Sequence, residues 1–144
     1  MMMASMATRA VTDRLPKVIK PKTHAVLDYV MAGTLIALGA FFWKRNKRAA
    51  LAAMACGGAT VATALLTDYP GGVKPVIDFE THGKIDAGMA GLTATLPTFL
   101  GFGNEEEAKY FRGAALAETI ITGMTDFNAS SGKVLEMPKR DQAI

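Results

Sequence analysis

The chain has two histidines, and each stands four residues before an aspartate: His24 before Asp28 and His82 before Asp86. On a helix that spacing places imidazole and carboxylate on one face. A carboxylate so placed can fix the imidazole tautomer and raise its basicity, as outer carboxylates do for metal-bound histidine. Asp68 and Asp126 close the apolar stretches that follow, and Glu118 interrupts the last of them. The chemistry open to such a set is metal or haem ligation, proton transfer, or hydrogen bonding that holds helices together. A single cysteine, Cys56, excludes an intrachain disulfide and argues against a thiolate metal site. G-x-G-x-x-G, P-loop, H-E-x-x-H, C-x-x-C and G-x-S-x-G motifs are all missing, so no enzyme assignment is supported.

The elements that must position these residues come from an internal duplication. At an offset of 58 residues, Val18-Ile19 falls on Val76-Ile77 and Thr23-His24 on Thr81-His82. Asp28 falls on Asp86, Met31-Ala32-Gly33 on Met89-Ala90-Gly91, and Thr67-Asp68-Tyr69 on Thr125-Asp126-Phe127. Each copy reads as two apolar helices joined by a polar turn, over about 24–43, 48–68, 82–102 and 106–126. Thr23 and Thr81 are expected as helix N-caps, and Pro97 is expected to kink the third helix. The organisation is a basic N-terminal segment (1–22), a first hairpin (23–69), a connecting loop (70–81), a second hairpin (82–127) and a polar tail (128–144).

Hydrophobic residues make up 50% of the chain and charged residues 20%, but the charges are segregated. None occurs in 29–43, 49–67 or 87–104. Such runs approach the roughly 20 apolar residues of a membrane-spanning helix. The competing reading is an Ala-rich soluble bundle, which would carry a clearer polar face. The expected fold is therefore an all-α, four-helix transmembrane bundle of two parallel tandem hairpins. Its location would be the bacterial inner membrane with both termini cytoplasmic, because Arg9, Arg14, Lys17, Lys20, Lys22, Lys74, Lys84, Lys133, Lys139 and Arg140 lie on that side. The basic turn Lys44-Arg45-Lys47-Arg48 opposes this, flanked by the interfacial anchor Phe41-Phe42-Trp43. These basic runs suit anionic lipid better than nucleic acid, since no aromatics interleave with them. Small-residue stripes in the second helix, Ala49-Ala53-Gly57 and Ala55-Ala59-Thr63, would let helix backbones approach closely.

The run Ala94–Phe102, the His24…Asp28 pair and Leu66-Thr67-Asp68-Tyr69 resemble the small bacterial SPW-repeat membrane proteins, over about residues 16–128. In that family a Ser-Pro-Trp motif sits in the first helix of each repeat. Here Leu38-Gly39-Ala40 and Leu96-Pro97-Thr98 stand at those places. The resemblance implies the paired-hairpin architecture and no particular activity.

Four antiparallel helices would bring His24, Asp28, Asp68, His82, Asp86 and Asp126 to one membrane face. A structural cluster that pins the hairpins together is the leading reading. It fits a non-enzymatic scaffold or accessory subunit, associating with the bilayer and with itself or a larger membrane complex. That reading requires no cofactor. The alternatives use His24 and His82 as ligands of haem b or a metal ion, or use the cluster as a proton relay. Glu118, which replaces Thr60 of the first copy, is expected to be paired or protonated, with Lys84 able to reach toward it from the third helix. Glu105-Glu106-Glu107 reads as a solvated turn.

Overall fold

The computed structural model describes residues 13–129. Arg9, Lys133, Lys139 and Arg140, which enter the charge balance between the two ends, lie outside the described residues. Four helices follow in order: α1 (Pro21–Phe42), α2 (Lys47–Leu66), α3 (Phe79–Phe99) and α4 (Ala108–Met124). They form an all-α bundle in which α1 packs mainly on α2, and α3 on α4.

The helix starts differ from the sequence expectation in a consistent way. Thr23 and Thr81 lie inside their helices rather than capping them. Pro21 opens α1, where its fixed φ suits the first turn and its missing N–H costs nothing. Asp78 caps α3, its carboxylate accepting from the Thr81 N–H at 2.8 Å and the Thr81 hydroxyl at 2.7 Å. Those bonds hold its carboxyl below the usual aspartate range. Asn46 caps α2 by accepting from the Ala49 N–H at 3.1 Å. Pro97 lies in the last turn of α3, so the helix ends at Phe99 instead of kinking and continuing. Gly101 follows with φ +76°, the left-handed conformation that glycine supplies at helix ends.

Main-chain bonds tie the two copies to each other. The Ile19 N–H donates to the Met124 carbonyl and the Asp126 N–H to the Ile19 carbonyl, both at 2.9 Å. The same two bonds recur 58 residues on, from Ile77 to Leu66 at 2.9 Å and from Asp68 to Ile77 at 2.8 Å. Each copy's leading segment is thus held by the closing residues of the other.

At the opposite end the two turns lie against each other. Arg48 pairs with Glu105 at 3.1 Å and Arg45 with Glu106 at 3.3 Å. Asn46 also donates to Glu105 at 2.6 Å. Glu105 and Glu106 stay exposed as a solvated turn would have them, but Glu107 is buried and the turn also partners the basic turn. Phe42 belongs to the core beside Phe102 and Phe111, leaving Phe41 and Trp43 exposed as the outward aromatics.

Of the two stripes in α2, Ala49-Ala53-Gly57 is buried, and Ala55 and Ala59 face outward. Every helix exposes apolar side chains: Val26 and Val30 on α1, Leu51 on α2, Leu92 on α3, Leu116 and Ile120 on α4. Two helices, α1 and α2, are long and apolar enough to cross a membrane.

Candidate buried cation site

One end of the bundle gathers the polar residues. His24 and Asp28 come from the start of α1, and His82 and Asp86 from the start of α3, one helical turn apart in each case. His24 and His82 are 0% and 1% exposed, and both aspartates are 7% exposed. Tyr69, Phe79 and Phe127 pack around the imidazoles. The Phe79 and Phe127 ring centroids both stand 5.5 Å from that of His24, and the Tyr69 centroid 5.2 Å from that of His82.

The polar atoms converge on a single point. The two Nε2 atoms are 3.2 Å apart. His24 Nε2 stands 3.3 Å from Asp28 Oδ1 and 3.0 Å from Asp86 Oδ2. His82 Nε2 stands 3.1 Å from Asp28 Oδ2 and 3.0 Å from Asp86 Oδ2. One ligand atom from each of the four residues fits within 4.8 Å of all the others.

The opposite edges of the imidazoles fix their tautomers. His24 Nδ1 is 2.7 Å from the Thr125 hydroxyl, and His82 Nδ1 is 2.7 Å from the Thr67 hydroxyl. Each hydroxyl has one proton, and each gives it to the carbonyl four residues back: Thr125 to Ile121 at 2.6 Å, Thr67 to Thr63 at 2.7 Å. The threonines must therefore accept from Nδ1–H. A neutral imidazole with its proton on Nδ1 presents a bare lone pair at Nε2. Two such lone pairs then face each other and two carboxylates in a buried volume. That arrangement repels itself unless positive charge, as a metal ion or as protons on the Nε2 atoms, sits among the four groups, and burial magnifies the repulsion.

The twofold repetition is broken at the aromatic that follows each T-D pair. Tyr69 donates its hydroxyl to Asp28 Oδ2 at 2.7 Å. Its counterpart Phe127 has no hydroxyl to offer Asp86. Tyr69 lies beyond the end of α2, and burial, reinforced by the Asp28 carboxylate, pushes its phenol well above the usual tyrosine range. It therefore stays a donor at any ordinary pH.

Of the residues expected together, His24, Asp28, His82 and Asp86 meet. Asp68 and Asp126 do not join them. Asp68 is half-buried, with its N–H on the Ile77 carbonyl, and Asp126 accepts from the Asn128 N–H at 3.1 Å. Their chain neighbours Thr67 and Thr125 take the inward positions. Glu118 lies beside the cluster, lining a small cavity with His24, Asp28 and Asp86. Lys84 does not reach it, pairing instead with Glu80 at 3.0 Å on the exposed face of α3. The sequence signal for Thr67, Thr125 and Tyr69 was present, because all three fall in the repeated T-D-aromatic segment.

Comparison with protein-family models, with curated proteins and with solved structures finds no match to this chain.

Proposed function

We propose that this chain is a small four-helix membrane protein that holds one divalent transition-metal ion between His24, Asp28, His82 and Asp86. It acts without catalysis, the ion joining its two hairpins. The observation that carries this reading is the convergence of two Nε2 atoms and two carboxylates on one buried point, with each imidazole's Nδ1 edge held by Thr67 or Thr125. Metal-bound histidines characteristically donate their other ring N–H in this way.

The spacing agrees with an ion of zinc's size. Tetrahedral bonds of about 2.0–2.1 Å put ligand atoms roughly 3.3–3.4 Å apart; the His–His and His–Asp separations run from 3.0 to 3.3 Å with both Asp28 oxygens engaged, and one ligand atom from each residue lies within 4.8 Å of the rest. Two imidazoles and two carboxylates suit zinc among the common metals. A haem would need its porphyrin plane between the Nε2 atoms, so the 3.2 Å gap favours a bare ion. The His24–His82, His24–Asp86 and His82–Asp28 contacts cross from one copy to the other, so an ion bound among them would brace the hairpin pair. The apolar outer faces of all four helices support placing the bundle in lipid.

The rival occupant is a pair of protons, which would make the cluster two imidazolium–carboxylate pairs and the protein a metal-free scaffold. Metal analysis of protein purified from membranes without chelator separates the two. About one zinc-type ion per chain is expected, lost in both His24→Ala and His82→Ala. Ion at a hundredfold excess over its dissociation constant should stabilise the fold by about 2.7 kcal/mol. A metal-free preparation whose melting is indifferent to zinc and to chelator would sink the proposal.

A further inference from the structure

A small cavity lies against the cluster on the side of the bundle interior, with a volume of about 10 Å³. His24, Asp28 and Asp86 line one side, and Thr60, Glu118 and Thr122 the other. That space fits one water molecule and nothing larger.

Thr122 is the informative residue. Other helix threonines give their proton to the carbonyl four residues back: Thr60 to Cys56 at 3.0 Å, Thr63 to Ala59 at 2.9 Å, Thr119 to Ala115 at 2.7 Å. Thr122 does not. Its hydroxyl is the one buried side-chain polar atom without a hydrogen-bond partner among the described residues. An orphaned buried hydroxyl costs about 1–3 kcal/mol, so native structures supply it with a partner. Glu118 stands at the same cavity, at the position where the first copy has Thr60. A donor, a carboxylate and a threonine that can still accept give a water the two to four polar partners it requires.

We infer that this cavity binds one water, held by Glu118 and Thr122 against the cation, so that the site has a single exchangeable position besides its four protein ligands. Glu118 is then a positioning residue that acts through the water. The inference rests on the cation reading above, and its test distinguishes the two.

The probe is Co²⁺, bound to the full chain in lipid nanodiscs. Tetrahedral Co²⁺ absorbs visible light several-fold more strongly than five-coordinate Co²⁺. The native chain should bind about one cobalt with the weak, five-coordinate spectrum. Glu118→Gln keeps the hydrogen bond and should leave the spectrum unchanged. Glu118→Met and Thr122→Val should each convert it to the intense four-coordinate form at unchanged stoichiometry. If Glu118→Met does not fold, Thr122→Val decides alone. An intense spectrum in the native chain, or a weak one that neither substitution changes, overturns the water site while the cation reading stands. A native chain that binds no cobalt refutes the cation reading itself.

Discussion

The two hairpins descend from one pattern, yet they close differently. In the first, α1 and α2 touch through glycine. A Cβ on Gly57 would stand 2.9 Å from the Ala32 carbonyl oxygen, and one on Gly39 would stand 3.0 Å from that of Ala50. In the second, Pro97 and Ala115 occupy the equivalent positions, and a Cβ on Gly91 or Gly113 would meet nothing within 4 Å. Ala87 and Ala94 stand where the first copy has Tyr29 and Ile36. Wider helices and smaller side chains leave a groove of about 300 Å³ between α3 and α4, lined by Ala87, Ala90, Gly91, Ala94 and Leu116, with Arg112 among the rest. The packing of the copies has diverged, while the polar residues at one end remain paired. Side-chain packing needs only local agreement within a hairpin. The proposed cation site needs one His and one Asp from each copy.

The largest expected effect tests that shared requirement. His24→Ala and His82→Ala should each cost about 3–5 kcal/mol, because each leaves two buried carboxylates short of a partner. Equal losses in a denaturation series would follow from the twofold geometry. A loss below about 1 kcal/mol in either would mean that the copies do not share one site.

Tyr69→Phe removes the hydroxyl that Asp28 has and Asp86 lacks. It should cost about 1.5–3 kcal/mol, the usual value for a hydrogen bond to a charged group. The raised Tyr69 pKa gives this bond a pH signature. The folded chain keeps the phenolic proton where the unfolded chain releases it. The contribution is therefore complete below about pH 10, the ordinary tyrosine value, and is lost as pH rises beyond it. Alkaline melting curves of the native chain should fall more steeply than those of Tyr69→Phe. Parallel curves would remove Tyr69 from the account.

Gly57→Ala tests the tight hairpin. The added methyl meets main-chain oxygen at 2.9 Å as well as the Ile36 side chain at 2.8 Å, so the helices must move apart. Overpacking of this kind costs about 1–3 kcal/mol. The reverse change in the loose hairpin, Ala115→Gly, should cost up to about 1 kcal/mol and for another reason, the poor helix propensity of glycine. If Gly57→Ala proved neutral, the close approach in the first hairpin would not matter to stability.

The repeat and its two His–Asp pairs were legible because chemistry-bearing residue types recurred at one fixed offset. The threonines that hold the imidazoles are obscured in the sequence by the aspartates beside them. Thr67 and Thr125 sit where α2 and α4 run out into extended chain, and there a one-residue step reverses the side-chain direction. The pairing of the two turns is tertiary: nothing in Glu105-Glu106-Glu107 reveals that Arg45 and Arg48 lie opposite. The caps were misplaced because Pro21 and Asp78 start their helices earlier than the threonines do. The groove depends on helix separation, which follows from Gly39, Gly57, Pro97 and Ala115 meeting across a hairpin and from no single segment.

The smallest expected effect is the most informative about the surroundings of the bundle. Ala94→Ile places the first copy's residue in the groove of the second. It adds three methylene-sized groups to a site with room for them. In water each buried group would contribute about 0.8 kcal/mol, so the substitution would stabilise an aqueous bundle by roughly 2 kcal/mol. In lipid no such drive exists, because acyl chains already fill the groove with equivalent contacts. The membrane reading therefore expects a change within about 0.5 kcal/mol for this variant in nanodiscs. Equilibrium unfolding of the native chain and Ala94→Ile under identical lipid conditions measures it. A gain of well over 1 kcal/mol would show that water borders the second hairpin and would overturn the proposal that α3 and α4 lie in the membrane.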